Sequence, residues 1–334
     1  MVEIPWQKCY DNVDSIYMVC QGRMGIFMAI NKAMRAALKA LSYPDIDIKK
    51  NYKVERELVN LTSKRILKPS RYRIWDHDIP SGDHLVPVRI FAPPDGLNHP
   101  VLIFFHGGGW VTGNIDSYNG VCSDMARLTQ RTVVSVDYRL APEHKFPAAP
   151  EDCYAVAREI YLHASLLGSR PEEVVLIGDS AGGNLAAAVS LMARDRGEFL
   201  PAKQILIYPA TAADHSETSP FPSVRENGTD YLLTSKRVCD FMDLYRSSEE
   251  DLHNPYFAPL EAKDFRNQPD TLIITAEYCP LRDEAEEYGH RLMKAGNRVM
   301  IRRIPDALHG YFSLPARFVQ VKRTYEIINR FLKG

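Results

Sequence analysis

The stretch VVLIGDSAGGNLAAAVSLMA, residues 174 to 193, decides the fold. Its opening run, VVLIG, is apolar and of strand length, Gly178-Asp179-Ser180-Ala181-Gly182 is a turn, and the alanine-rich remainder has the composition of a helix. A strand that turns this sharply into a helix holds the central residue in a strained backbone conformation and lifts its side chain above the sheet. Small neighbours are needed because strand and helix approach closely. The central residue is Ser180, the candidate nucleophile; outside this context the pentapeptide would be no more than a helix N-terminus.

The alternation continues in both directions. VLIFF (101–105), TVVSV (132–136), ILIYP (205–209), TLIIT (271–275) and VMIRRI (299–304) read as buried strands, most of them separated by helical segments of ten or more residues. This predicts an α/β fold with a mostly parallel central sheet flanked by helices. Ahead of it, RYRIW (71–75) and VPVRIF (86–91), joined by the turn-rich PSGDH, predict an antiparallel pair. The rhythm breaks between Ala210 and about Asp251, where Pro, Ser, Asn and Gly are frequent and YLLTSKRVCDFMDLYR suggests an inserted helix. Residues 1–55 and 211–250 are therefore expected to form one helical cap over the carboxyl ends of the strands, with 56–210 and 251–334 as the core. Within the first part, Ile30, Ala33, Met34, Ala37, Leu38 and Leu41 share a helical face, expected to pack on a neighbouring domain because few cations lie opposite.

Composition narrows the function. Charged residues make up 25% of the 334 and balance to a net charge of -1, so there is no basic field for nucleic acid, and a small-molecule substrate fits better. The six cysteines lack the spacing of a zinc site or a disulfide framework, so reduced thiols and a cytoplasmic location are expected. IYMVCQGRMGIFMAI is interrupted by Gln21, Gly22 and Arg23, and is read neither as a membrane span nor as a signal peptide. A homodimer is left open.

A serine attacking a carbonyl leaves a negative oxygen that needs donors. The backbone NH after the nucleophile, that of Ala181, is one. His106-Gly107-Gly108-Gly109-Trp110, directly after VLIFF, is the source of others, because glycines turn NH groups toward a pocket without obstructing the substrate. No Lys-Ser or Lys-Thr follows, which excludes a P-loop. The general base is expected beyond the last strand, where His309 stands in PDALHGYF; His84, His99, His215 and His253 lie in polar, turn-like stretches typical of solvated side chains.

HGGGW at 106–110, GDSAGG at 178–183 and HG at 309–310, supported by DYRLAPEHKFPAAPED at 137–152, resemble the hormone-sensitive lipase branch of the α/β-hydrolases, the microbial carboxylesterases with an HGGG box. The resemblance covers roughly residues 70–334. It implies an α/β-hydrolase fold with a helical cap and hydrolysis of short-chain acyl esters through an acyl-serine, with no metal or cofactor. Ser180 would be the nucleophile, His309 the base, and the NH groups of Gly108, Gly109 and Ala181 the oxyanion hole; spacing alone does not exclude Gly107.

The departure is EYCPLRDE, residues 277–284. Family members usually carry an aspartate, followed by Pro-Leu, where this chain has Cys279. The acid's task is to hold the imidazole in the right tautomer and stabilise its cation, and a neutral thiol is a poor replacement. Of the nearby carboxylates Glu277, Asp283 and Glu284, Asp283 is the expected substitute, since it lies about one turn into the next helix while Glu277 alternates away. Its plainer reading is a helix N-terminal charge. Because the family includes the plant gibberellin receptors, which keep the fold and have lost a triad residue, a non-catalytic small-molecule binder is the alternative.

Overall fold

The computed structural model describes residues 47–63, 73–95 and 98–334; the helix expected over Ile30 to Leu41 lies outside them. One sheet contains β1 (Arg73–Ser81), β2 (His84–Ala92), β3 (Val101–Phe105), β4 (Thr132–Val136), β5 (Val174–Asp179), β6 (Lys203–Ile207), β7 (Asp270–Tyr278) and β8 (Val299–Leu308). Their order across it is β1-β2-β4-β3-β5-β6-β7-β8. β2 is antiparallel to β1 and to β4, and every other neighbouring pair is parallel. In the hairpin the pairing runs through to Ser81 and His84, so the turn shrinks to Gly82 and Asp83. β3, β4 and β5 are buried at every position, which is why they read as unbroken apolar runs rather than as alternation.

The flanking helices are α1 (Ile48–Ser63), α2 (Asn119–Thr129), α3 (Ala148–Leu162), α4 (Ala181–Arg196), α5 (Pro222–Glu226), α6 (Ser235–Tyr245), α7 (Arg282–Lys294) and α8 (Val319–Lys333). α4 is buried continuously from Ala181 to Ala193 because it packs on β3, β5, β6 and α3 at once. Small residues meet that demand, and an amphipathic pattern would not. The segment between β6 and β7 carries α5 and α6; Thr234 caps α6 by accepting a hydrogen bond from the NH of Arg237 at 3.2 Å. α1 packs on α6. Ion pairs also link α1 to its neighbours: Lys49 with Asp240 and Asp243, Glu55 with Arg237, and Arg56 with Glu143.

The motif DYRLAPEHKFPAAPED has a structural use. Asp152 of α3 is fully buried and accepts hydrogen bonds from Arg139 Nη2 at 2.8 Å, from the Arg139 backbone NH at 3.0 Å and from Arg139 Nε at 2.9 Å. His84 Nε2 lies 2.8 Å away on the same carboxylate, tying the β1–β2 hairpin to α3. Removing the guanidinium leaves the buried carboxylate with only the Arg139 NH and His84 as partners. Arg139→Met is therefore expected to lower the unfolding free energy by about 3 kcal/mol, read as a lower urea midpoint with an unchanged m-value.

Topology also sets up the site. His106 follows β3, Ser180 follows β5, Cys279 follows β7 and His309 follows β8, so residues far apart in sequence meet at one edge of the parallel sheet, outside the carboxyl ends of its strands.

Candidate active site

Ser180 has φ 56° and ψ -120°, a conformation in which an L-residue is strained. The turn is held because the Ser180 NH donates to the Ile207 carbonyl at 2.9 Å and the Ser180 carbonyl accepts from the Asn184 NH at 3.0 Å. The helix comes so close to β3 that a Cβ on Gly182 would lie 1.9 Å from the Phe105 carbonyl oxygen. Only glycine fits there.

His309 reaches this turn from the loop after β8. Its Nε2 is 2.8 Å from Ser180 Oγ, and its Nδ1 is 3.1 Å from Cys279 Sγ. Three residues from three strand ends thus form one line. Both outer contacts of the imidazole are made, but one is to sulfur.

Asp283 is not brought to His309, contrary to the expectation that it substitutes for the acid. Its Oδ1 accepts from Arg282 Nε at 2.7 Å and its Oδ2 from the Ser223 NH at 2.7 Å, so its position on the first turn of α7 aims it at the start of α5. Glu277 is likewise engaged, accepting from the Asp306 NH at 2.7 Å. Glu284 is fully buried and accepts from the NH groups of Thr211 at 2.6 Å and Ala212 at 3.1 Å. His215 is no solvated side chain either: it is buried with Nε2 2.6 Å from Glu284 Oε2. The polar sequence around His215 reads as solvent-facing because it does not reveal that α7 offers a buried carboxylate to the imidazole.

Burial governs the protonation of the line. It pushes the His309 imidazole down to about 3, and it pushes the Cys279 thiol well above its ordinary range, with Glu284 and Asp283 adding to the effect and the Leu281 NH and Arg282 opposing it. At neutral pH the pair is a neutral imidazole facing a neutral thiol.

The glycine loop flanks the serine. Gly108 and Gly109 have φ 119° and 61°, and a Cβ on Gly109 would lie 2.5 Å from the Phe241 ring. The Gly107 NH is committed, donating to Asp179 Oδ1 at 2.9 Å. Gly108, Gly109, Ser180, Ala181 and His309 line a cavity of about 360 Å³. Glu55 and Val59 of α1 and Leu232, Arg237 and Phe241 in and before α6 line its other side. A neighbouring cavity of about 300 Å³ shares Gly108, Tyr118 and Ser313 with it.

Sequence reasoning did not single out Asp179, Tyr118 or Tyr208, whose side chains meet beneath the glycine loop. The available signal was an acidic residue ending a wholly apolar strand. Among the described residues no three of His, Cys, Asp and Glu are grouped as a metal site requires.

Residues 102–313 match the family model described as alpha/beta hydrolase fold. An arylesterase of Saccharolobus solfataricus is 36% identical over 268 residues, covering 80% of this chain and 86% of the relative. The esterase LipI of Mycobacterium tuberculosis is 40% identical over 239 residues, covering 70% and 72%. Among solved structures, a hyperthermophilic esterase from the archaeon Pyrobaculum calidifontis superposes with a TM-score of 0.82 at 37% identity, covering 92% of this chain and 98% of that one. The chain belongs to the alpha/beta hydrolase fold family, in its hormone-sensitive lipase-like carboxylesterase branch, and is a carboxylic ester hydrolase.

Proposed function

We propose that ester hydrolysis runs through Ser180 and His309, with Cys279 in the place of the acid, and that the substrates are short-chain acyl esters. The observation that carries the reading is the 2.8 Å contact between His309 Nε2 and a serine in a strained strand-to-helix turn. Ser180 Oγ attacks the ester carbonyl while His309 takes its proton and passes it to the leaving alcohol. Water then attacks the acyl-serine by the same route, returning Ser180 and releasing the acid. The NH groups of Gly108, Gly109 and Ala181 receive the oxyanion in both halves.

Cys279 weakens the base in two ways. A neutral thiol adds no charge to stabilise the imidazolium that forms in the transition state. It also competes as a donor: whenever its S–H points at Nδ1 the ring proton sits on Nε2, the tautomer that cannot accept from Ser180. The chain is thus an impaired esterase. The intact contact between Ser180 and His309 speaks against a pure binding protein.

The acyl-chain reading rests on the cavity's size and on the Phe241 ring packed against Gly109. The reading of 1–55 and 211–250 as one cap is supported, within the described residues, by α1 and α6, which contact one another and both line the cavity. Phe241→Ala is expected to raise kcat/KM for octanoyl relative to acetyl esters about tenfold, a few methylenes' worth of pocket. An unchanged ratio in p-nitrophenyl ester assays would remove Phe241 as the chain-length limit. No helix among the described residues is long and apolar enough to cross a membrane, and the unpaired Cys122, Cys153, Cys239 and Cys279 support a cytoplasmic setting.

A fluorophosphonate tests the nucleophile directly. Mass spectrometry of the labelled protein should find one adduct, on Ser180. Label on another residue, or none on folded protein, would overturn the assignment.

A further inference from the structure

We propose that Asp179 is a positioning residue for the oxyanion hole, locking the glycine loop to the nucleophile turn and, through Tyr118 and Tyr208, to the segments around them. The proposal rests on the reading of Ser180 as nucleophile. Asp179 is 2% exposed, and its three hydrogen-bond donors come from three separate parts of the chain. The Gly107 NH, after β3, donates to Oδ1 at 2.9 Å; the hydroxyls of Tyr118, just before α2, and Tyr208, just after β6, donate to Oδ2 at 3.2 and 3.3 Å. The Tyr208 oxygen also accepts from the Phe312 NH at 3.3 Å, and its ring centroid is 4.7 Å from that of His309. One carboxyl group therefore connects the loop that presents Gly108 and Gly109, the turn that presents Ser180, and the loop that presents His309.

A carboxyl buried without a cation among its partners is costly unless hydrogen bonds satisfy it, and these three donors do so. The arrangement has a use in catalysis. An oxyanion hole works because its donors are already aimed when charge develops, and fixing the Gly107 peptide fixes where the next two NH groups point. Burial pushes the carboxyl up to about 7. Both protonation states keep the set together, since the acid form can donate its own proton to a tyrosine oxygen while Oδ1 still accepts from Gly107.

Asp179→Ala, Asp179→Asn and Tyr208→Phe, assayed with p-nitrophenyl acetate, test the idea. Asp179→Ala is expected to lower kcat roughly tenfold or more with KM within about twofold, because the interaction lost is one made in the transition state. Asparagine keeps an acceptor for the Gly107 NH and an amide donor for a tyrosine oxygen, so Asp179→Asn should hold kcat within about threefold of the starting chain. Tyr208→Phe, which cuts only the arm to Phe312, should lower kcat several-fold with KM again unmoved. Asparagine as damaging as alanine, or a loss carried by KM alone, would overturn the proposal. Should Asp179→Ala not fold, an unchanged kcat in Tyr208→Phe would do so. Ser180→Ala separates the two levels: if it keeps the kcat of the starting chain the nucleophile reading fails, whereas full kcat in Asp179→Ala beside a Ser180→Ala lowered roughly 10²-fold overturns this inference alone.

Discussion

Cys279→Asp is expected to raise kcat by about 10² or more, the reverse of the loss that follows when the acid of a serine triad is made neutral. The site is ready for the change. Cys279 Sγ already faces His309 Nδ1 at 3.1 Å, so a carboxylate there meets the imidazole before any rearrangement. The loop is fixed as well, because Asn227 Nδ2 donates to the Cys279 carbonyl at 3.2 Å. Each tenfold in rate is about 1.4 kcal/mol, so the expected gain asks the new anion for about 3 kcal/mol of imidazolium stabilisation, modest for an ion pair shielded from water. The pH profile gives a second readout. With the thiol, burial holds His309 far down and leaves it deprotonated to low pH. With aspartate, the imidazolium is favoured, its pKa rises, and the acid limb of kcat/KM moves to higher pH. A gain below about threefold with no movement of the limb would mean that the charge is supplied from elsewhere or is not needed.

Ser180→Ala is expected to abolish the acyl-enzyme, and the size of the loss should depend on the residue that faces His309 Nδ1. In the chain as it stands the loss should be roughly 10²; in a Cys279→Asp background it should be roughly 10⁴. Nucleophile and acid act through one imidazole, so their effects are not additive. With no hydroxyl to activate, the repaired base has nothing to do. Ser180→Ala alone and the double variant should therefore turn over at the same residual rate, which comes from the oxyanion hole and binding. A double variant more than about tenfold faster than Ser180→Ala would show that His309 and the introduced carboxylate activate water directly, and the covalent route would fail.

The strand pattern was legible because a strand buried on both faces is apolar along nearly its whole length, as VLIFF and VVLIG are throughout and TVVSV is apart from Thr132 and Ser135. The strand-to-helix turn at Ser180 was legible because it is local: strand, five small or polar residues and helix are all within one short segment, and close packing dictates their sizes. The approach of His309 to that turn could be expected from chain order. The environment of His215 could not, since a polar surface segment and a polar segment folded over a buried glutamate have the same composition.

The acid illustrates the division most clearly. Sequence by itself determined that the usual residue is absent, that a thiol stands in its place, and that three carboxylates lie within five residues of it. Which of them could reach His309 depends on side-chain direction at a strand end and on the first turn of a helix, and there a rotation of one residue changes the target. Only the tertiary structure decided it: Asp283 turns to Ser223, Glu277 to Asp306 and Glu284 to Thr211, and His309 is left with Cys279. Asp179 belongs to the same side of the line, because its three donors are spread from Gly107 to Tyr208 and only the folded sheet brings them to one carboxylate.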